Sequence, residues 1–177
     1  MAKQVSITYG SALFEVAVEN NALDTILEEV LFVKQTFLEN EALGKLLLHP
    51  NVEKEEKIRV IEQIYKGKIS DEITGLMTML VTKGHLKEFV PVFDYVIQAI
   101  KEEKGIGVAY ISSAVQLKQE QKNRIEQKLL ETTKYQEIEG IYQVDETLIG
   151  GLVIRIQDTV VDSSLKTQIA KLSNSLL

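Results

Sequence analysis

The residues that could do chemistry in this chain are few, and their spacing is poor for it. There are two histidines, His49 and His85, and no cysteine in 177 residues. Thiol catalysis, disulfides and thiolate zinc sites are therefore excluded. Each histidine stands at an expected helix boundary, beside Pro50 or Gly84, and neither is spaced with a second ligand as a metal site requires. A serine nucleophile would need a GxSxG elbow or a neighbouring base, and no elbow is present. The carboxylate pairs Glu28-Glu29, Glu55-Glu56 and Glu102-Glu103 fall on solvated helix faces. GIGVAY (105–110) opens like a dinucleotide fingerprint, but Tyr110 replaces the third glycine and the run precedes a strand. It reads as a flexible joint between domains. Gly44-Lys45 and Gly67-Lys68 lack the rest of a phosphate loop and read as helix ends. No catalytic, cofactor-binding or metal-ligating residue is expected.

Composition narrows the remaining classes. Apolar residues make up 45% of the chain, enough for a core, and the net charge is -6. Residues 1–105 carry 12 Lys+Arg against 17 Asp+Glu, and residues 106–177 carry 8 against 9. Neither part has the basic excess that phosphate-backbone binding needs, so no nucleic-acid partner is expected. No stretch approaches the ~20 apolar residues of a membrane span, and the N-terminus lacks a secretory apolar region. A soluble protein without direct membrane insertion is expected.

What must position any interacting residues is a chain of two periods. Apolar spacing is helical up to about residue 104. Helices are expected over Val5–Glu19, Leu23–Glu39, Glu41–Leu48, Glu53–Tyr65, Asp71–Lys83 and Leu86–Lys104. The second is apolar almost all round, which makes it the expected most buried helix. Ser70 is the expected N-cap of the fifth and Gly84 its C-terminal stop. Pro91 should lie early in the sixth or kink it. Beyond Gly105 the pattern becomes strand (from 106), helix (Leu117–Thr132, with Leu117, Ile125, Leu129 and Leu130 inward), strand (Gln136–Val144), strand (Ile149–Gln157), a short strand (Thr159–Val161) and a helix over Ser163–Leu176. The expected fold class is α+β: an N-terminal six-helix bundle (1–105), then a small α+β domain (106–177) with a short sheet and two helices.

One feature of the helical part exceeds the needs of a core. The first helix interleaves Gly10, Ser11, Ala12 and Ala17 with Tyr9, Leu13 and Phe14. The fifth carries Ile73, Leu76, Met77, Met79, Leu80 and Val81. Small residues allow close approach and methionine adapts to a partner, so a groove accepting an amphipathic helix fits beside plain core packing.

Three stretches carry a resemblance. YGSALFEVA (9–17), VTKGHLKEFVPVFDYV (81–96) and LIGGLVIRIQDTVVDSSLKTQIAKL (148–172) together resemble the delta subunit of bacterial F-type ATP synthases, the family of the mitochondrial oligomycin-sensitivity-conferring protein. In the last stretch the signature positions are Gly150, Gly151, Arg155, Asp158, Asp162, Ser164 and Leu165. The chain departs at Ser163, where the family pattern often has glycine. The resemblance implies a non-catalytic peripheral-stalk (stator) subunit of a proton-translocating F-type ATP synthase. Such a subunit ties the catalytic head to the b-subunit stalk so that the head does not turn with the rotor. It implies one copy per complex, peripheral, at the cytoplasmic face of the bacterial cell membrane. It implies two partners: the N-terminal helix of an alpha subunit, bound by helices one and five, and the C-terminal ends of the b subunits, bound by the C-terminal domain. The expected alpha-binding residues are Tyr9, Ala12, Leu13, Val16, Ile73, Leu76, Met77 and Leu80. The residues themselves give the C-terminal stretch a packing role: glycines where a strand enters the sheet, a turn at Asp158-Thr159, and Asp162 or Ser163 as a helix cap.

Overall fold

The computed structural model describes residues 2–163. Among them are seven α-helices and a four-stranded sheet, an α+β chain as expected. It divides into two compact units, Met1–Ile100 and Lys101–Leu177.

The first unit contains α1 (Ala2–Glu19), α2 (Leu23–Glu39), α3 (Glu41–Leu48), α4 (Lys54–Tyr65), α5 (Asp71–Lys83) and most of α6 (Phe89–Glu103). Each boundary has a local cause. Asn21, at φ 50, turns the chain between α1 and α2. Asn40 accepts the Leu43 amide at 3.1 Å and caps α3. Gly84, at φ 74, closes α5 while the His85 amide reaches back to the Leu80 carbonyl at 2.8 Å. Ser70 stands at the α5 N-cap, but its hydroxyl makes no capping bond; its own amide donates to Glu29 Oε2 at 2.9 Å. Pro91 is the third residue of α6, where a helix amide has no intrahelical partner, so no bond is lost.

Burial corrects the reading of α2. Only Ile26, Val30 and Val33 are buried there, whereas Leu31, Phe32 and Leu38 are exposed. The deepest helices are α5, with five buried residues, and α6, with Phe89, Val92, Phe93, Val96, Ile97 and Ile100. A helix apolar all round can still offer the core only one stripe when its neighbours lie on one side.

The second unit holds the last turn of α6, then β1 (Ile106–Ser113), α7 (Gln119–Thr132), β2 (Glu137–Val144), β3 (Leu152–Ile156) and β4 (Thr159–Asp162). Strand order is β2-β1-β3-β4; β1 and β2 are parallel, and the other pairs antiparallel. Ala109, Ile111, Leu129, Tyr135 and Ile156 form its core, with Ile125, Ile138, Tyr142 and Ile154 packed against them. Leu130 is exposed rather than inward. β3 begins three residues later than its apolar run, because Ile149 sits at φ 64 and is exposed. The expected C-terminal helix over 163–176, with Ser164 and Leu165, lies outside the described residues.

The GIG run packs within the second unit. Gly105, at φ 71, offers its carbonyl to the amides of Gln136 (2.8 Å) and Glu137 (3.3 Å). A Cβ on Gly107 would lie 2.5 Å from Tyr135 Cδ2 and 2.9 Å from Ile138 Cδ1. The second glycine is there so that an aromatic ring can lie against β1.

Candidate functional site

The histidines are absorbed into structure. His49 Nδ1 accepts the Asn51 amide at 3.2 Å, and the His85 ring lies 6.0 Å from that of Tyr9. Among the described residues no group of three His, Asp or Glu could hold a metal ion. No helix among them is long and apolar enough to cross a membrane. The remaining candidates are surfaces.

The first surface is the seam of α1 and α5. Two contacts fix their relation: Asn20 Nδ2 donates to Glu72 Oε1 at 3.4 Å at one end, and Tyr9 meets His85 at the other. The helices are therefore antiparallel. Tyr9, Val16 and Asn20 are spaced i, i+7, i+11 and share one flank of α1, with Ala12 beside them. Glu72, Gly75 and Met79 share one flank of α5 by the same spacing, i, i+3, i+7. These two flanks border the seam.

Burial sorts the eight expected residues. Leu13, Ile73, Leu76, Met77 and Leu80 are all buried in the unit's own core. Tyr9 and Val16 are half-buried and Ala12 is exposed, so these three remain available. On α5 the sequence reading noted Met79 but left it and Gly75 out of the expected residues, and these two are the exposed ones. Met79 is 49% exposed, and a Cβ on Gly75 would meet nothing within 4 Å. The available signal was the phase of Met79: it lies two residues from Met77 and so faces away from the core stripe. On its other side α1 lies close to α6: a Cβ added at Gly10 would stand 3.1 Å from Cγ of the Tyr95 ring.

The second surface lies on the sheet. The C-terminal signature does not converge on one point. Gly150 and Gly151 form the turn before β3, with Gly151 at φ 79. The β3–β4 turn is Gln157-Asp158, one residue earlier than expected, with Gln157 at φ 50. Asp162 ends β4. Arg155 is exposed on β3, in register with Tyr110 of β1 and Val160 of β4. Ser164 and Leu165 lie outside the described residues.

Polar contacts stiffen this unit. Lys101 pairs with Glu139, and Lys134 Nζ lies 3.3 Å from Glu102 Oε1. A hydrogen bond from Gln157, helped by Lys134, holds the Glu102 carboxyl below the usual carboxylate range. The Tyr142 hydroxyl donates to Glu126 Oε1 at 2.8 Å, tying β2 to α7. Burial, reinforced by that carboxylate, pushes the Tyr142 phenol well above its ordinary range. Of these groups, Lys134 and Gln157 line a mainly apolar cavity of about 390 Å³ together with Leu129, Ile154, Ile156 and Val161.

Comparison with known proteins follows the same line. A sequence profile for "ATP synthase delta (OSCP) subunit" matches residues 5–176. The ATP synthase subunit delta of Lachnoclostridium phytofermentans is 49% identical over 176 residues, covering 99% of this chain and 97% of the relative. That of Brevibacillus brevis is 28% identical, covering 96% of each. In fold, the chain superposes with a TM-score of 0.80 on a chain of the Toxoplasma gondii mitochondrial ATP synthase hexamer. The match is 20% identical and covers 97% of this chain and 96% of that one.

Proposed function

The chain belongs to the ATP synthase delta (OSCP) subunit family, and on that premise we propose how its two units divide the work of a stalk subunit. It is a non-catalytic component of the peripheral stalk of an F-type ATP synthase. An N-terminal six-helix bundle domain over residues 1–105 binds the N-terminal helix of one alpha subunit of the catalytic head. A C-terminal domain over residues 106–177 binds the C-terminal ends of the b subunits. One copy serves each complex, peripherally, at the cytoplasmic face of the cell membrane. As a stator it holds the head against the torque of the proton-driven rotor.

The observation that carries the alpha assignment is the α1–α5 seam. Ala12 and Gly75 leave it shallow and open, while Tyr9, Val16 and Met79 give it apolar edges. An amphipathic helix laid there places its apolar face on these side chains. Leu13, Ile73, Leu76, Met77 and Leu80 form the floor beneath. Glu72 on the α5 flank favours a helix with a basic residue at that end. Such a tether needs tight binding and no change of shape during catalysis.

The test is a calorimetric titration of the full chain with a synthetic peptide of the alpha subunit's N-terminal helix, with amide shifts mapped by NMR. Saturable binding with shifts at Tyr9–Val16 and Glu72–Met79 is expected. Absence of binding at high peptide concentration would remove the alpha partner from the proposal.

A further inference from the structure

The chain has three methionines and no cysteine, so thioethers are its only sulfur groups. Met1 lies outside the described residues. Met77 and Met79 stand two apart on α5, and the fold separates them: Met77 is fully buried, whereas Met79 is 49% exposed. The neighbourhood of Met79 adds to its access. A helical side chain leans over the turn that precedes its own Cα, which for Met79 is the turn of Gly75. Gly75 has no side chain, and the place its Cβ would take has no atom within 4 Å.

In a chain without thiols, an accessible thioether is the group a peroxide oxidises first. The sulfoxide that results is polar and chiral where the thioether was apolar and flexible. The core shields the Met77 sulfur from an oxidant, and the surface presents that of Met79. Met79 also stands where a change of polarity has a consequence. With half-buried Tyr9 and Val16 it gives the α1–α5 seam its apolar edges, while Ala12 and Gly75 are too small to take over that contact. A sulfoxide oxygen under the apolar face of a docked helix gives up its water without gaining a donor from that face.

We propose that Met79 is a reversible oxidation site, and that its sulfoxide lowers the affinity of the free subunit for the alpha helix. The proposal rests on the reading that the α1–α5 seam seats that helix. Hydrogen peroxide is the oxidant, and the step balances with it alone. A lone pair of the Met79 sulfur attacks one peroxide oxygen, and the S–O bond forms as the O–O bond breaks. The proton on the transferred oxygen passes to the departing one, which leaves as water. The thioether loses two electrons and the peroxide gains them. A methionine sulfoxide reductase reverses the change. A seated helix covers the sulfur, so the oxidation acts on the unassembled chain and spares the assembled one.

The experiment treats the full chain with dilute hydrogen peroxide, removes the excess with catalase, and reads affinity for the synthetic alpha peptide by calorimetry. The unaltered chain, Met77→Leu and Met79→Leu are each compared treated against untreated. Fragment-ion mass spectrometry assigns added oxygen to Met77 or Met79, and circular dichroism reports folding. Oxygen should reach Met79 about tenfold faster than Met77, and peptide bound beforehand should slow it. Treatment should weaken binding about tenfold in the unaltered and Met77→Leu chains, with recovery after sulfoxide reductase. The Met79→Leu chain should keep its own untreated affinity. Several results overturn the proposal and leave the alpha reading standing: oxidation of Met77 first, an oxidised Met79 with unchanged affinity, a loss that persists in Met79→Leu, or a loss that accompanies unfolding. Oxidation of Met79 that bound peptide does not slow also overturns it. No peptide binding by the untreated, unaltered chain overturns the alpha reading itself.

Discussion

Gly107 and Gly75 are the same residue type under opposite constraints, and their substitutions should have opposite signs. An alanine methyl at Gly107 would fall on Tyr135 Cγ and Cδ2, at 2.7 and 2.5 Å, near the root of a ring that cannot swing away. Gly107→Ala should destabilise the second unit by about 1–3 kcal/mol, the usual cost of overpacking. At Gly75, an exposed helix interior position, a methyl meets nothing within 4 Å. Gly75→Ala should stabilise by about 0.5–1 kcal/mol through helix propensity. Urea denaturation followed by circular dichroism checks both. Tyr142 gives a pH prediction. Burial and then Glu126 raise its phenol pKa in the folded chain above the unfolded value near 10. The protonated phenol is thus the folded form's preference. Its contribution is complete below about pH 10 and is lost as pH rises toward the folded pKa. Tyr142→Phe should lower stability at neutral pH by about 1 kcal/mol, because Glu126 loses its donor. It should also flatten the decline of stability above pH 10, which a pH series of denaturation curves would reveal.

At the scale of elements, α5 divides into two working sides. Leu80 is fully buried and Met79, next to it, is 49% exposed. Leu80→Asp should therefore unfold the first unit, since a buried unpaired charge costs several kcal/mol. Met79→Asp should keep the helical circular dichroism and weaken alpha-peptide binding about tenfold or more. A folded Met79→Asp chain with undiminished affinity would remove α5 from the alpha site. The helices were legible because apolar period, Asn40 and Gly84 all act locally. The exposure of Leu31 and Phe32 on α2 was not, because period counts apolar residues without saying how many sides have neighbours. The same limit applies to Leu13 and Leu80: they stand out in the sequence as large apolar residues, and the unit's own core buries both.

At the scale of the whole chain, the near-complete length of the family match places both units in one stalk subunit. If each unit carries its own core, residues 1–105 expressed alone should fold cooperatively with a helical spectrum. They should bind the alpha peptide within about twofold of the full chain, because additivity holds for sites that share no partners. A fragment without cooperative unfolding would contradict the division into independent domains. The sequence by itself determined most of the helices and strands of the described residues and, through three stretches of resemblance, the family. These are properties of local spacing and residue type. Only the tertiary structure decided which apolar residues remain at the surface: Met79 and Gly75 at the seam, and Tyr110, Ile141 and Val160 around Arg155. The reason is physical. Burial depends on which elements lie opposite one another, and strand register across β2-β1-β3-β4 brings together residues up to 50 positions apart that no local pattern relates.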